Sequence, residues 1–416
     1  MENERSFAYG WSLVFYSAIL FMLGAGITVD GLNVIVPAFA ESRQWDYNML
    51  LSFSTIGGIV GFLGTIVFAQ MVVKKGVRFV TVLALLISGV ATILYGYSTS
   101  ISMYLITLCV LFFSCNGYSF IAPTTIITTW FPRKKGIAFG IATIGLPLAT
   151  ALFVPVLAIL FGVFGHSKGL MIVGVATIIL AAISIFWIKN APEEIGLAPD
   201  GIHLSAKEIE AQREGFKSHE TEWTVGRLIK NSNVWVISFA YGLVFLVTVG
   251  IVSQLVPRIM SLGYTQTKAL TFLSFCAVIA IPGSYAWGML DQKTTTKKAS
   301  IVLAIWYVVA LIFLIVGRHS FPLLMSAIFM VGFGIGGIGN LQPSMLAQVF
   351  GRLDYPAANR VVTPIISFVR ILAFAVMGIA LSITGSFEGA YMVLIGFSIV
   401  ALILIGLIDD TCVGKR

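Results

Sequence analysis

Residues 361–383 read VVTPIISFVRILAFAVMGIALSI. The stretch is apolar almost throughout and long enough to cross a hydrocarbon core about 30 Å thick as a helix. Its one basic side chain, Arg370, falls in the middle. A guanidinium at bilayer depth costs roughly 2.5–3.5 kcal/mol on insertion scales, so it persists where it faces a cavity or a partner. Arg370 is therefore a candidate site residue. The first apolar stretch holds one acid, Asp30, in Gly26-Ile-Thr-Val-Asp30-Gly31. One buried cation and one buried anion in a membrane protein with many spans point to a solute pathway.

Composition places the whole chain in the same class. Of 416 residues 58% are hydrophobic and 11% charged, against about 25% charged in soluble domains. Apolar segments of spanning length begin near Trp11, Met49, Arg78, Ser102, Gly136, Gly169, Val234, Thr267, Ser300, Phe321, Val361 and Gly389. These runs are continuously apolar and do not alternate as barrel strands do. The expected fold is an all-α integral membrane protein with twelve transmembrane helices in two pseudo-symmetric six-helix bundles.

Basic residues set the expected orientation. With the amino terminus inside, only Arg43, Lys168, Arg258, Lys268 and Arg318 fall in outside segments, and the other lysines and arginines, Arg370 apart, fall inside. Such a bias predicts both termini in the cytoplasm and a multi-pass protein of the cytoplasmic membrane. The net charge of +8 then reflects basic loops beside an anionic leaflet, and nucleic acid is not an expected partner. The opening MENERSFAYGW reads as the start of a retained first helix. Cys109, Cys115, Cys276 and Cys412 lack metal-ligand spacing and read as small packing residues.

The longest polar stretch separates the halves, giving expected domains at 1–189 and 233–416 with a cytoplasmic linker at 190–232. A mixed-charge run from Lys207 to Glu222 within it suits a surface helix. The halves recur at an offset near 220 residues. Val36-Pro37 matches Val256-Pro257, Pro123 matches Pro343, and the turn Trp130-Phe-Pro-Arg133 pairs with Leu353-Asp-Tyr-Pro356. A weak internal repeat of this kind is a signature of transporters built from two like bundles.

At this point the chain resembles the major facilitator superfamily over nearly all its length. The superfamily's loop between helices 2 and 3, G-x-L-A-D-R-x-G-R-R, is degenerate here as Ala69-Gln-Met-Val-Val73-Lys74-Lys75-Gly76-Val77-Arg78, with valine in the acid's place. The equivalent loop between helices 8 and 9 keeps Gly288-Met-Leu-Asp291-Gln-Lys293. In the family this loop is a cytoplasmic gate whose acid caps a helix, so the resemblance implies gating roles for Asp291, Lys74 and Arg78. Trp130-Phe-Pro-Arg-Lys-Lys-Gly136 and Pro192-Glu-Glu-Ile-Gly-Leu-Ala-Pro199-Asp-Gly201 look like the monocarboxylate-porter and oxalate/formate-antiporter branch, whose members move small organic anions.

Thr363, Ser367, Arg370 and Phe374 share one helical face by their spacing. A planar guanidinium suits a carboxylate, which it binds as a fork; an ion pair with Asp30 or hydrogen bonds to freed carbonyls is the structural alternative. The helix 8 segment from Thr271 to Trp287 carries no charge, and a single cationic anchor favours a monoanion. Tyr118, Phe120, Tyr285, Trp287 and Phe374 are candidates for an apolar wall with hydrogen-bonding tips. Asn340 and Gln342 follow five glycines in VGFGIGGIGNLQP, residues 331–343, and are candidate cavity donors. Asp30 is the candidate proton carrier.

The four histidines fall in predicted loops, and neither a catalytic triad pattern nor a phosphate-binding loop occurs. The chain therefore reads as no enzyme, without cofactor or metal, driven by an ion or solute gradient. The expected function is secondary transport of a small organic anion, a monocarboxylate, by alternating access, through proton symport or anion exchange. The expected partners are the anion, protons and the lipid bilayer, with a monomer as the working unit. Two alternatives stay open: an efflux carrier for cationic or amphipathic compounds using Asp30, and a transport-dead sensor of the same fold.

Overall fold

The structure is a computed structural model that describes residues 2–411; Cys412, Lys415 and Arg416 lie outside the described residues. Three of its helices are too long to be single spans. Tyr47–Gly96 runs for 50 residues, Lys135–Trp187 for 53 and Phe321–Thr384 for 64, and at about 1.5 Å per residue each exceeds twice the hydrocarbon core. Each breaks at a glycine with positive φ: Gly76 at 79°, Gly165 at 77° and Gly351 at 67°. A Cβ strains that backbone, so glycine is where an apolar chain reverses.

The nine helices of spanning length among the described residues therefore make twelve spans, and no strand occurs among the described residues. In chain order α1 is Ala8–Asp30, prolonged by Leu32–Arg43, and α2 and α3 are residues 47–75 and 77–96. Next come α4, Ile101–Trp130, then α5 and α6, residues 135–164 and 166–187. The second half holds α7, Ser232–Ser261, α8, Gln266–Lys293, and α9, Thr296–Val316. It ends with α10 and α11, residues 321–350 and 352–384, and α12, Phe387–Leu407. The expected all-helical fold of twelve spans is borne out. Two local expectations are corrected. Helix α11 starts at 352, not near Val361, because its first turns bury Tyr355 and Asn359 instead of presenting apolar side chains. The turn expected at Leu353–Pro356 is helical, the reversal being taken by Gly351.

By contact the chain forms two compact units, Met1–Arg133 with Leu148–Thr221, and Lys134–Pro147 with Glu222–Arg416. In the first, α3 and α6 cross on two glycines. A Cβ on Gly89 would lie 2.9 Å from the Gly174 carbonyl oxygen, and one on Gly174 would lie 2.6 Å from that of Gly89. Small residues permit such approach where lipid gives no hydrophobic drive. Three π-helical turns occur in this unit: Gly26–Asp30 in α1, Gly117–Ile121 in α4 and Ala149–Phe153 in α5. Such turns gather at functional sites.

In the second unit the glycine string of α10 lies against α8, where a Cβ on Gly336 would meet the Ser284 backbone nitrogen at 2.3 Å. Two indole N–H groups tie neighbours to α10, Trp287 donating to the Phe333 carbonyl at 2.9 Å and Trp306 to that of Met330 at 2.7 Å. The mixed-charge run folds as a helix over Ala206–Ser218 with a capping box. There the hydroxyl and N–H of Ser205 hold the Glu208 carboxyl below the usual carboxylate range.

Candidate functional site

Arg370 lies midway along α11 and is exposed. Its guanidinium carbon stands 5.9 Å from the centroid of the Phe245 ring on α7, close enough for a cation–π contact. No hydrogen bond or ion pair reaches it among the described residues of its unit. The charge is held but not neutralised there. Along the expected face Thr363 is buried and donates to the Asn359 side-chain oxygen. Ser367 is half-buried, and Phe374 is 62% exposed. The face emerges from packing between Ser367 and Arg370.

Asn340 and Gln342 sit where α10 approaches Pro343, both buried. Asn340 donates its amide to the Ser284 carbonyl at 2.9 Å. Its own oxygen and the amide nitrogen of Gln342 are buried without a partner. Buried amide atoms of this kind carry a desolvation cost until a ligand or water meets them. Tyr285 on α8 is exposed, whereas Trp287 is buried with its N–H committed to α10 and its ring against Trp306 and Phe333. The two face opposite environments.

Asp291 is buried at the end of α8, where its two oxygens accept from Thr296 at 2.6 Å and Ser344 at 2.5 Å. It ties the start of α9 to α10. Beside it the Lys135 ammonium, at the start of α5, donates to the Ser344 carbonyl at 2.9 Å.

In the first unit Asp30 closes the π turn of α1 and is half-buried. The Asn33 amide donates to its backbone carbonyl at 3.0 Å. Neither α4 nor the part of α5 in this unit carries a charged side chain, and the Thr150 side chain, on the π turn of α5, faces the carboxyl. Tyr118 lies on the π turn of α4, fully buried, its hydroxyl accepting from Cys115 at 3.4 Å and Ser88 at 3.5 Å. Phe120 meets Phe21 edge-on. In the loop between α2 and α3, Lys74 is exposed and Arg78 half-buried.

Sequence reasoning missed two arrangements. Arg258 is buried at the end of α7 and pairs with Glu388 of α12 at 2.8 Å. The Arg78 backbone N–H donates to the Asn190 side-chain oxygen at 3.1 Å. Gly76 was a signal for the second, since a glycine at a helix start has no side-chain oxygen to cap the first turn and one must come from elsewhere.

A helical membrane protein of twelve spans, with a cation in one span that pairs with no acid among the described residues of its unit and an acid on a π turn of another span, is the frame of a solute carrier. Residues 14–358 match the Major Facilitator Superfamily, and the chain belongs to it. It is a transporter, not an enzyme. It is similar to Monocarboxylate transporter 12 of Rattus norvegicus, 25% identical over 369 residues that cover 83% of this chain and 73% of that one. It is also similar to the Membrane sensor protein UhpC of Escherichia coli (strain K12), 26% identical over 180 residues, 43% of this chain and 41% of that one. Among solved structures, the proton:xylose symporter XylE bound to 6-bromo-6-deoxy-D-glucose aligns with a TM-score of 0.77 at 14% identity, covering 97% of both chains. That last likeness is one of fold.

Proposed function

We propose that this chain is a secondary carrier for a small organic anion, a monocarboxylate, working by alternating access, with Arg370 as the anion's anchor. One observation carries the reading: a mid-span guanidinium that no acid among the described residues of its own unit neutralises and that a ring, not a carboxylate, supports. A carboxylate is the partner whose geometry matches the guanidinium fork. The likeness to a monocarboxylate transporter supports the same class. Asn340 and Gln342 add unmet amide groups, Ser367 a hydroxyl, and Tyr285 and Phe374 an exposed aromatic surface. Trp287 and Tyr118 act through the packing they hold. Asp30 carries the proton if the anion moves with one, and Asp291, Lys74 and Arg78 belong to the gate. The bias of basic residues supports a cytoplasmic membrane with both termini inside.

The test is uptake of radiolabelled monocarboxylates into proteoliposomes, with Arg370→Gln beside the wild type. Uptake by the wild type and its loss in the variant support the anchor. Near-normal uptake by Arg370→Gln removes it, and restoration of that variant by Asp30→Asn assigns Arg370 to a charge pair instead. The likeness to a membrane sensor protein gives the second reading its observation. Binding without any uptake or exchange favours a sensor.

A further inference from the structure

A guanidinium on a flexible stem snorkels toward the nearest polar interface unless something holds it at depth. At Arg370 the two helices that meet offer it no acid. Helix α7 carries one charged side chain, Arg258, which is paired with Glu388. On α11 itself the one acid is Asp354, about 24 Å away along the helix. What stands against the cation is the Phe245 ring, with the guanidinium carbon over it at 5.9 Å. The hydroxyls of α7 on either side of that ring are already engaged. Tyr241 is bonded to Ser300 at 2.6 Å, and Thr248 donates to the Val244 carbonyl at 2.9 Å.

The contact follows from how α7 and α11 cross. A Cβ on Gly242 would lie 2.9 Å from the Val369 Cβ, and one on Gly250 would lie 3.4 Å from the Met377 Cγ. The step from the first contact to the second is the same on both helices, so they run side by side in register. Small residues on α7 allow this approach. Phe245 follows Gly242 by less than a turn and Arg370 follows Val369 directly, which places ring and cation between the two contact points. Phe245 is half-buried and packs on the core of its unit, so the ring is backed on its far side.

We infer that Gly242 and Phe245 form the seat of Arg370, Gly242 by letting α11 close on α7 and Phe245 by holding the cation at depth. Phe245 is thus a positioning residue of the anion site, a role that rests on the reading of Arg370 as the anchor. A ring suits the task in a way an acid does not. It attracts the cation through its π face and takes up none of the five N–H donors as a carboxylate would, leaving them to the carried anion. A long side chain already held in place also loses less freedom when the anion arrives, which tightens binding.

The test has two arms, both on the full chain. In lipid nanodiscs the Arg370 side-chain Nε–H signal, assigned by its absence from Arg370→Gln, is read by proton–nitrogen NMR. A proton held over a ring face is shielded. Phe245→Leu should move the signal downfield, and Phe245→Tyr, which keeps the ring, should leave it near the wild-type position. A signal that Phe245→Leu leaves in place, or that Phe245→Tyr moves as far, overturns the inference. This arm needs no solute. In proteoliposomes the probes are radiolabelled pyruvate and benzoate. Phe245→Leu should raise KM for a transported probe by about 5- to 30-fold, the worth of a cation–π contact between its exposed and desolvated limits, with the maximal rate within about twofold of wild type. Phe245→Tyr should restore the wild-type KM. A fall in maximal rate with KM unchanged gives Phe245 a packing role only and overturns the positioning role. Normal uptake by Arg370→Gln removes the anchor reading alone, because the NMR arm still decides whether the ring holds the cation.

Discussion

The Arg258 guanidinium meets the Glu388 carboxylate at 2.8 Å, joining the end of α7 to the start of α12. Arg258 is 3% exposed and also donates to the Leu314 carbonyl of α9 at 3.2 Å. Three helices of one unit are tied by one side chain. Removing one partner of a buried pair strands the other, so Glu388→Ala should destabilise by about 3 kcal/mol, the low end of the range because Glu388 is partly exposed. Arg258→Met with Glu388→Leu should recover most of the loss, since no buried charge is left unpaired and Arg318, 3.9 Å from Glu388, is exposed to solvent. Thermal unfolding in detergent checks both, and a single mutant as stable as the wild type would show the pair to be idle.

Glycine placement gives a second contrast. Gly336→Ala would press a methyl group to 2.3 Å from the Ser284 backbone nitrogen, and the backbone of α8 must give way. A loss of about 1–3 kcal/mol is expected, with a lower folded yield. Gly378 in α11 has nothing within 4 Å of a Cβ. Gly378→Ala should be neutral or stabilise by up to about 1 kcal/mol through helix propensity. Size-exclusion yield and melting temperature of the two variants side by side decide the matter.

What could be read in advance follows the physics of each feature. Spans are legible because lipid demands a long apolar run, and the reversals at Gly76, Gly165 and Gly351 fit the gaps between such runs. The start of α11 is not, because Tyr355 and Asn359 are buried by packing at a helix end, where apolarity is no guide. Arg370 stands out because a lone charge is costly in lipid. Glu388 does not, since an acid in the first turn of a helix already has a local reason to be there. The commitment of the Trp287 N–H to the Phe333 carbonyl depends on how α8 crosses α10, which no spacing within α8 reports. Gly76 announces a helix start without a cap of its own, but not the asparagine, 112 residues beyond Arg78, that accepts the Arg78 N–H.

For the proposed anchor, charge and geometry can be separated. Arg370→Lys keeps the charge but loses the planar fork and the ring contact with Phe245. Arg370→Gln loses the charge. A charge-assisted hydrogen bond is worth about 1.5–3 kcal/mol, so Arg370→Gln should lower uptake at sub-saturating anion by roughly 10- to 100-fold. Arg370→Lys should fall between the two. Initial rates over a range of substrate concentrations check the order, and equal rates for lysine and arginine would remove the fork from the account.

The proposed proton coupling rests on Asp30. It closes a π turn of α1, and the neighbouring α4 and the part of α5 in its unit bring no charged side chain to it. A proton that moves with a monoanion needs a group that gains and loses charge during the cycle, and among the spans of this unit Asp30 is the acid placed to do so. Asp30→Asn fixes the neutral form. The variant should still bind the anion and exchange it in counterflow, because the loaded state is mimicked. It should lose accumulation driven by pH. For one proton per monoanion, a lumen one pH unit more alkaline than the bath supports about tenfold accumulation, since each 1.4 kcal/mol is a factor of ten. The wild type should approach that ratio, and Asp30→Asn should stop near equilibration. Accumulation by the variant under the same gradient would remove Asp30 from coupling. A wild type that ignores the pH difference yet exchanges internal for external anion would make anion exchange the mechanism and leave Asp30 a structural part of the π turn.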